Sequence, residues 1–569
     1  MHVRKNITKA AFGCLGLVIA FIASSADRGF AQTQANGTEA NPGQIERRIE
    51  DAAPITKPRE EPLTNIPVLP TESGDQDQSF VLAAVSISGV ETLTPAAIAP
   101  SYEELLASVI TLSDAAEIAN RITAIYREQG YALSRAFVPP QVVEGGVLRI
   151  VVAEGYVSGV AFSGADDLAT DLNPYLASVL SEKPLKLATL ERAILLINDL
   201  AGIRITQSSL SEPEEGSGEF LLQLAIQYDG ADATAYLDNR GTPSVGRLQS
   251  WISGGLNSQL GMGERIQVGM FTVPNQPEEL LYKEVSYLQP LGGNGTEFFL
   301  SGSHSSLDPG SDLGLQDTES ESVSVILRLT HPILRSRTES MWLNGFLEYR
   351  NSEEHRRGIK NFDDHIRVGR LRANYNRGGD SFFVSSILRL SQGLSVLGAS
   401  TERSGQLSRF DATPNFTKVS AEASYGQDVF GQVSTLVSVS GQKSANSLYS
   451  SEEFAVGGNR FGRAYDFAEI TGEDGAAGSL ELRYSVDERP DGFEFLQFYS
   501  FYDFGAVWNR NADSAFRRHS LSSTGLGVRA NFVRSIQTSF EVAQPLTRQV
   551  FTSGNDTGPR YFFSLSTNF

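Results

Sequence analysis

Residues 479–486 read Ser479-Leu480-Glu481-Leu482-Arg483-Tyr484-Ser485-Val486, so polar and apolar side chains alternate through the whole segment. An alternation with a period of two gives a β-strand one polar and one apolar face. The same pattern recurs in residues 322–329 and 535–542, and helical periodicity is absent from residue 229 onwards. These segments predict about sixteen antiparallel strands of roughly ten residues, the length that a tilted membrane strand requires.

A soluble β-sandwich would show the same alternation, so other observations must separate it from a membrane barrel. The alternating region is too long for one sandwich. The final strand also ends in an aromatic residue and carries an apolar set on one face, a pattern typical of outer-membrane barrels and read as an assembly signal: Tyr561, Phe563, Leu565 and Phe569. We therefore expect residues 229–569 to form a transmembrane antiparallel β-barrel. Its expected partners are outer-membrane lipid, lipopolysaccharide and the barrel-assembly machinery.

Residues 1–31 have the parts of an export signal peptide. Three basic residues, Arg4, Lys5 and Lys9, precede the uncharged segment 10–23, and small residues follow up to Ala31, where we expect cleavage. The uncharged segment is shorter than the ~20 residues of a spanning helix, and no comparable segment follows. We expect an outer-membrane protein without a transmembrane helix, whose N-terminal domains lie in the periplasm.

Composition excludes several classes of partner and of stabilising site. The only cysteine, Cys14, lies within residues 1–31, so disulfides and cysteine-bound metals are not expected in the exported protein. The formal net charge is −20, and no basic patch is present. A nucleic-acid partner is therefore excluded, because phosphate binding requires such a patch.

The segment that follows the signal peptide predicts a short helix and a linker. In residues 41–52, Asn41 is suited to the N-cap and Pro42 to the first helical position, while Ile45 and Ile49 share one face. This predicts a short amphipathic helix. Residues 53–79 contain five prolines among charged and small residues, a composition that predicts an extended linker.

Residues 80–228 predict two successive α+β units, 80–155 and 156–228. In the first unit a strand at 85–87 precedes a helix at 113–129 and two strands at 131–138 and 147–153. In the second unit a strand at 157–162 precedes helices at 167–180 and 189–200 and strands at 203–207 and 220–228. The repeated order indicates two copies of one kind of domain.

This order of elements resembles the two-partner secretion transporters, which export filamentous haemagglutinins and haemolysins and belong to the Omp85 superfamily. The resemblance also covers local segments, among them residues 196–203, 236–241 and 286–292. It implies two periplasmic POTRA domains before a sixteen-stranded barrel. It also implies a partner, a large secreted exoprotein with an N-terminal secretion domain, which the POTRA domains recognise while it is unfolded. The helix with Ile45 and Ile49 would then be a pore plug.

Gly457-Gly458-Asn459-Arg460-Phe461-Gly462-Arg463-Ala464-Tyr465 is similar to the family's Val-Arg-Gly-aromatic loop motif. The resemblance implies that a loop at about residues 443–475 turns into the barrel lumen. Arg463 and Tyr465 would occupy the arginine and aromatic positions, and Asp503, in a segment that also contains Gly505, would pair with Arg463. Gly462 and Ala464 depart from the motif. If the family glycine serves a positive φ, Ala464 would be strained.

No motif predicts a catalytic, cofactor or metal site. The six histidines are scattered, and residues 457–462, although they have the span of a phosphate loop, are followed by Arg463 in place of lysine. The acid pairs Glu353-Glu354 and Asp363-Asp364 are expected to be solvated rim charges. Export of one large protein is thus the preferred function. An Omp85-type assembly or insertion factor is the main alternative, and a passive porin or a surface enzyme explains fewer features.

Overall fold

The computed structural model describes residues 79–164, 168–401, 404–511, 517–532, 535–550 and 557–569. The predicted signal peptide, the helix with Ile45 and Ile49, and the linker up to residue 78 lie outside the described residues. Among the residues that are described, no helix has both the length and the apolar character needed to cross a membrane.

The first α+β unit packs one long helix on a small sheet. Its elements are β1 (Ser79–Val81), β2 (Ala84–Ser88), α1 (Pro95–Ile98), β3 (Val109–Thr111), α2 (Leu112–Glu128), β4 (Arg135–Phe137) and β5 (Val147–Ala153). Helix α2 starts at a capping box, in which Thr111 and Asp114 each bind the other's backbone N–H. The helix buries Ile118, Ile122 and Tyr126 against the sheet β2-β5-β4, and β1 pairs with β3 alongside.

Glu154, which follows β5, ties the loop after β2 to the core of this unit. Its carboxylate accepts hydrogen bonds from Tyr126 Oη at 2.6 Å and from the backbone N–H groups of Thr92 and Glu91 at 2.9 and 3.0 Å. Burial raises the pKa of Glu154, but these hydrogen bonds outweigh burial and hold the pKa below its ordinary value.

The second unit repeats this design with two helices. Its elements are β6 (Tyr156–Ser163), α3 (Asn173–Ser181), α4 (Leu187–Asn198), β7 (Ile203–Ser211) and β8 (Glu219–Tyr228), with the sheet order β6-β8-β7. The predicted start of α3 at residue 167 was wrong, because the described residues 168–172 are not helical. The helix begins at Asn173, where Asp171 accepts the backbone N–H and Pro174 occupies the first turn.

Sixteen antiparallel strands form the closed barrel, which confirms the predicted number. They are β9 (Ala231–Asp238), β10 (Gln249–Asn257), β11 (Arg265–Thr272), β12 (Leu281–Leu291), β13 (Thr296–Leu307), β14 (Thr318–Arg335), β15 (Glu339–Arg356), β16 (Ile359–Gly378), β17 (Phe382–Gly393), β18 (Thr417–Phe430), β19 (Val433–Ser444), β22 (Asp474–Ser485), β23 (Phe493–Trp508), β24 (Arg518–Phe532), β25 (Ile536–Pro545) and β26 (Arg560–Asn568). A short helix, α5 (Ser311–Gly314), precedes β14, and two short strands, β20 (Phe454–Val456) and β21 (Ile470–Gly472), lie between β19 and β22.

Strand length differs from the prediction of roughly ten residues. Strands β14 and β15 have 18 residues each and β16 has 20. At the end of the barrel distant from the α+β units, Lys360 forms ion pairs with Glu353 and with Asp363. The long strands β14, β15 and β16 therefore extend beyond the part of the barrel with an apolar outside. Their backbone hydrogen bonds form between strands and do not require lipid.

The alternation in the sequence separates the two surfaces of the barrel as predicted. On β14, Val323 and Val325 are exposed on the outside, whereas Ser322 and Ser324 are buried on the lumen side. On β22, Leu480 and Leu482 are exposed and Glu481 is buried. An exposed apolar outside with a polar inside is the arrangement of a membrane barrel.

The second unit is attached to one end of the barrel. Arg335, at the end of β14, binds Asp199 after α4 through two hydrogen bonds of 2.8 and 2.7 Å. Arg192 of α4 donates a hydrogen bond to the carbonyl of Pro332 at 3.0 Å. These contacts place the α+β units at the end of the barrel where its chain terminus also lies.

Candidate functional site

The connection between β19 and β22, residues 445–473, folds back into the barrel lumen. Strands β20 and β21 pair in antiparallel register, and we call residues 454–472 the lumen hairpin. Phe454, Val456, Tyr465 and Ile470 of this hairpin are buried with residues of the barrel wall in one apolar cluster. The lumen therefore contains an apolar core that belongs partly to the chain's own loop.

Glycines in the wall make room for the hairpin. A Cβ added to Gly505 of β23 would lie 2.5 Å from Cγ1 of Val456, and one added to Gly475 of β22 would lie 2.0 Å from Cδ1 of Phe454. Both distances are shorter than any tolerable contact. Gly505 is thus needed for close approach of the hairpin to the wall rather than for an unusual backbone angle.

The structure brings Arg463 and Asp503 together inside the lumen. Arg463 Nε donates to Asp503 Oδ2 at 3.0 Å and Nη2 donates to Oδ1 at 2.9 Å, so the guanidinium binds both carboxylate oxygens. The backbone N–H of Arg463 also donates to Asp503 Oδ2 at 3.0 Å. Both side chains are buried. Two parallel bonds from a planar guanidinium fix direction as well as distance.

Arg463 has further partners that the sequence analysis did not identify. Its Nη1 donates to Glu481 Oε2 at 2.7 Å and its Nη2 donates to Ser479 Oγ at 2.9 Å. Its guanidinium lies over the ring of Phe501, 3.5 Å from the centroid. Ser479 and Glu481 belong to the polar face of a segment already identified as a strand, so a lumen position was predictable for them. Their contact with Arg463 was not.

Two more arginines hold the backbone of the hairpin tip. Arg240, just after β9, donates to the carbonyl oxygen of Arg463 at 3.2 Å and to Glu541 Oε1 at 2.6 Å. Arg560, the first residue of β26, donates to the carbonyl oxygen of Ala464 at 2.9 Å and pairs with Asp466. Because β9 and β26 are the strands that close the barrel, the tip contacts both sides of that seam.

Tyr465, the aromatic residue of the motif, is buried at the strand ends. Its hydroxyl lies 3.2 Å from the carbonyl oxygens of Ser522 and Arg548 and accepts a hydrogen bond from the Arg548 N–H at 3.2 Å. The ring packs in the same cluster as Val456 and Leu521. Tyr465 therefore attaches the tip to β24 and to the connection after β25.

The expected strain at Ala464 is not found. Ala464 does not have a positive φ, whereas Gly462, two residues earlier, has a φ of +81°. The position that needs glycine is thus Gly462, which replaces a hydrophobic residue of the motif. Alanine in place of the motif's glycine at position 464 costs no backbone strain. Ala464 is fully buried, so its small side chain suits the space available.

Both acid pairs were expected to be solvated, and this was wrong for one residue of each pair. Glu353 and Asp363 are partly exposed and bind Lys360. Glu354 and Asp364 are buried, because adjacent residues of a strand point to opposite faces. In the part of the chain that the structure describes, no group of three or more histidine, cysteine, aspartate or glutamate residues is placed to hold a metal ion.

The predicted assembly residues lie on the outer surface of the last strand. Tyr561, Phe563, Leu565 and Phe569 are all exposed, while Phe562 between them is buried in the lumen cluster. Phe569 also exchanges two backbone hydrogen bonds with Ala233, at 2.9 and 3.2 Å, next to the pairing of β26 with β9. The terminal residue thus lies at the seam of the barrel.

Comparisons with known proteins give two family matches. Residues 227–530 match the model of the haemolysin secretion/activation protein ShlB/FhaC/HecB, and residues 80–155 match the ShlB-type POTRA domain. The first match covers most of the barrel and more than half of the chain.

Individual proteins match over most of their length. The heme/hemopexin transporter protein HuxB of Haemophilus influenzae (strain 86-028NP) is 21% identical over 96% of this chain and 98% of its own length. The outer membrane transporter CdiB of Escherichia coli is 24% identical over 76% of this chain and 74% of its own. The solved structure of CdiB from Escherichia coli superposes with a TM-score of 0.73, at 21% identity, over 95% of this chain and 100% of that structure. The structural match shows a shared fold.

Proposed function

The chain belongs to the haemolysin secretion/activation protein family ShlB/FhaC/HecB, and from this we propose that it moves one dedicated unfolded exoprotein out of the cell by two-partner secretion. It is an outer-membrane β-barrel with POTRA-type units on the periplasmic side. Its relatives are described as transporters. We accordingly propose a transport role without catalysis, cofactor or metal.

The lumen hairpin is the observation that favours export over passive diffusion. A porin requires an open aqueous lumen, whereas this lumen is crossed by a buried hairpin that Arg463 attaches to Asp503 and Glu481. We propose that this hairpin moves aside when the exoprotein passes. Because the outer membrane holds neither ATP nor a useful ion gradient, we propose that the substrate passes downhill and is drawn outward by folding at the surface.

We propose that the two α+β units capture the exoprotein by β-augmentation. In the second unit β6 and β7 are the outer strands of the sheet, and in the first unit β2 and β4 are. An outer strand has free backbone groups that an extended peptide can pair with. Exposed apolar side chains next to these edges, among them Phe162 and Leu221, would add contacts. The second unit contributes most, because it is the one attached to the barrel.

We propose that the chain begins with a signal peptide (1–31), a plug helix (41–52) and a linker (53–79). Two POTRA domains (80–155 and 156–228) and the barrel (229–569) follow. Within the barrel, we propose that Gly462, Arg463, Tyr465, Asp503 and Gly505 position the inward loop. Tyr561, Phe563, Leu565 and Phe569 would serve recognition by the barrel-assembly machinery. Lipid and lipopolysaccharide would cover the apolar outside.

The test is a secretion assay that combines this chain with a candidate exoprotein, a large secreted protein with an N-terminal secretion domain. Co-expression should place that protein in the medium, and deletion of residues 156–228 should retain it in the periplasm while the barrel stays heat-modifiable. Secretion that does not depend on this chain would refute the proposal. Normal secretion without residues 156–228 would refute the role of the second unit.

An assembly factor is the alternative that the same experiment can distinguish. If the chain inserted other barrels, its removal would lower the amounts of several outer-membrane proteins. Under the export proposal, those amounts stay unchanged while the exoprotein alone is lost from the medium.

A further inference from the structure

The segment that leads into the lumen hairpin, residues 448–453, is attached to a different part of the barrel wall from the tip. We call this segment the hairpin base. It contains the short 3₁₀ turn Ser450–Glu452, and its side chains at Leu448, Tyr449 and Glu452 are fully or almost fully buried. None of these residues belongs to the arginine motif.

Glu452 is the centre of this attachment. Arg370 of β16 donates to Glu452 Oε1 at 2.7 Å and to Oε2 at 3.1 Å, and Lys418 Nζ of β18 lies 2.8 Å from Oε2. Lys418 also donates to the backbone carbonyl of Glu452 at 2.6 Å. Two cations from two strands therefore hold one buried carboxylate.

Neighbouring contacts make this attachment specific. Arg370 also donates to Glu348 Oε2 at 2.8 Å, and Glu348 pairs with Arg350 at 2.8 Å, so charges alternate along the wall. Next to Glu452, Glu453 pairs with Arg409 of the β17–β18 connection, and Arg409 binds Glu473 at 2.8 Å. Glu453 and Glu473 flank the two strands of the hairpin, so Arg409 connects both of its ends.

An apolar cluster supports the same position. Leu448 and Tyr449 pack with Ile366, Val368 and Phe416. Moving the base away from the wall would expose these side chains and leave Glu452 or its partners without compensating charge. Both changes are unfavourable, so the base is held by packing and by ion pairs together.

We propose that Glu452 is a second positioning residue of the inward loop, which holds the hairpin base on β16 and β18 independently of Arg463 on β22 and β23. The hairpin is thus attached at two points, Glu452 and Arg463, with ten residues of chain between them. Release of the tip alone leaves the base in place and the lumen partly filled. Full opening requires that both attachments dissociate. The inference rests on the proposed function only in taking the lumen as the transport route.

Single-pore conductance in planar bilayers tests this independently of secretion. Glu452→Gln and Lys418→Met should each give about tenfold more time in a higher-conductance state, a change that corresponds to about 1.4 kcal/mol. Glu452→Gln combined with Arg463→Ala should give about the product of the single effects, because opening requires both attachments to dissociate and each holds the hairpin independently. Recordings from single pores are unaffected by a lower yield of folded barrel.

Glu353→Gln is the matched control, since it removes an ion pair with Lys360 at the distal rim and outside the lumen. It should conduct like the unmodified protein. A Glu452→Gln pore that also conducts like the unmodified protein would overturn the proposal, even if the exoprotein is secreted. Loss of secretion with unchanged conductance behaviour would instead count against this inference alone.

Labelling of a single cysteine gives a second readout. Ser451 is buried, and the only natural cysteine is Cys14. Ser451→Cys should resist a membrane-impermeant maleimide in the otherwise unmodified barrel and react at least about tenfold faster when Glu452→Gln is added. Equal reactivity in both backgrounds would show that Glu452 does not hold the base.

Discussion

Arg463 is buried, and its guanidinium donates hydrogen bonds to Asp503, Glu481 and Ser479. Asp503 accepts two side-chain bonds, Glu481 accepts a third, and the ring of Phe501 covers the guanidinium. Removing one partner of a buried pair costs about 3–5 kcal/mol, mostly because the remaining charge lacks compensation. Arg463 is therefore the residue whose loss should move the hairpin tip most.

Arg463→Ala and Asp503→Ala should each reduce secretion without unfolding the barrel. Arg463→Ala should be the more severe, since it removes the contacts of this side chain with Asp503, Ser479 and Glu481 together, whereas Asp503→Ala leaves Arg463 bound to Glu481. The double variant should be little worse than Arg463→Ala, because coupled residues are not additive. Lysine should not replace Arg463 well, since its ammonium lacks the planar pair of parallel N–H donors that binds the two carboxylate oxygens of Asp503.

Secretion yield and heat-modifiable migration measure these effects. Arg460→Ala is a suitable control, because Arg460 lies three residues away and its pair with Glu422 is more exposed. Its effect should be smaller than that of Arg463→Ala. If the losses in the double variant simply multiply, Arg463 and Asp503 act independently and the pairing has no role in secretion.

At the scale of the element, strand β26 closes the barrel along a short seam with β9. It pairs with β9 only from Ser564 to Asn568, and Phe569 adds two backbone bonds to Ala233. Each such bond contributes about 0.5–1.5 kcal/mol net. The end of this strand combines a structural role at the seam with the exposed aromatic ring of Phe569.

Deletion of Phe569 should lower the yield of folded barrel, measured by heat-modifiable migration of the membrane fraction. Phe569→Ala keeps the two backbone bonds but removes the ring, and Phe569→Tyr keeps both. If assembly depends on the ring, Phe569→Ala should behave like the deletion and Phe569→Tyr like the unmodified protein. Unchanged folded barrel after the deletion would exclude an assembly role for this residue.

At the scale of the whole molecule, the export pathway consists of the α+β units, the lumen and the hairpin that occupies it. The proposed plug, residues 41–52, would add a second obstruction through Ile45 and Ile49. A single helix with two apolar anchors on a flexible linker adds little to the stability of a barrel that closes its own hydrogen-bonded ladder.

Removal of residues 32–52 should therefore leave a folded barrel with higher conductance in planar bilayers. The hairpin remains, so conductance should rise less than it does when the hairpin base is also released by Glu452→Gln. A matched deletion of equal length within the linker 53–79 controls for chain shortening. Identical currents before and after removal of residues 32–52 would contradict the plug.

Local pattern was sufficient for the barrel and for the units before it. The period-two alternation decided which side chain of β14 or β22 faces outward, because a strand places adjacent residues on opposite faces whatever surrounds it. The number of strands and the lumen position of Glu481 followed from the same rule. It also implied that Glu354 and Glu353 must differ in burial, a consequence missed when both were expected in solvent.

Tertiary structure alone decided which lumen residues meet. Arg370, Lys418 and Glu452 come from three parts of the chain, and neither periodicity nor spacing relates them. The resemblance to a known family suggested Asp503 for Arg463, but the contacts with Glu481, Phe501, Arg240 and Arg560 depend on barrel closure and on how the hairpin crosses the lumen. The same is true of Gly462, whose positive φ is set by the path of the hairpin. Alternation is a property of neighbours in sequence, whereas an ion pair across a lumen is a property of three-dimensional distance, which only the folded chain determines.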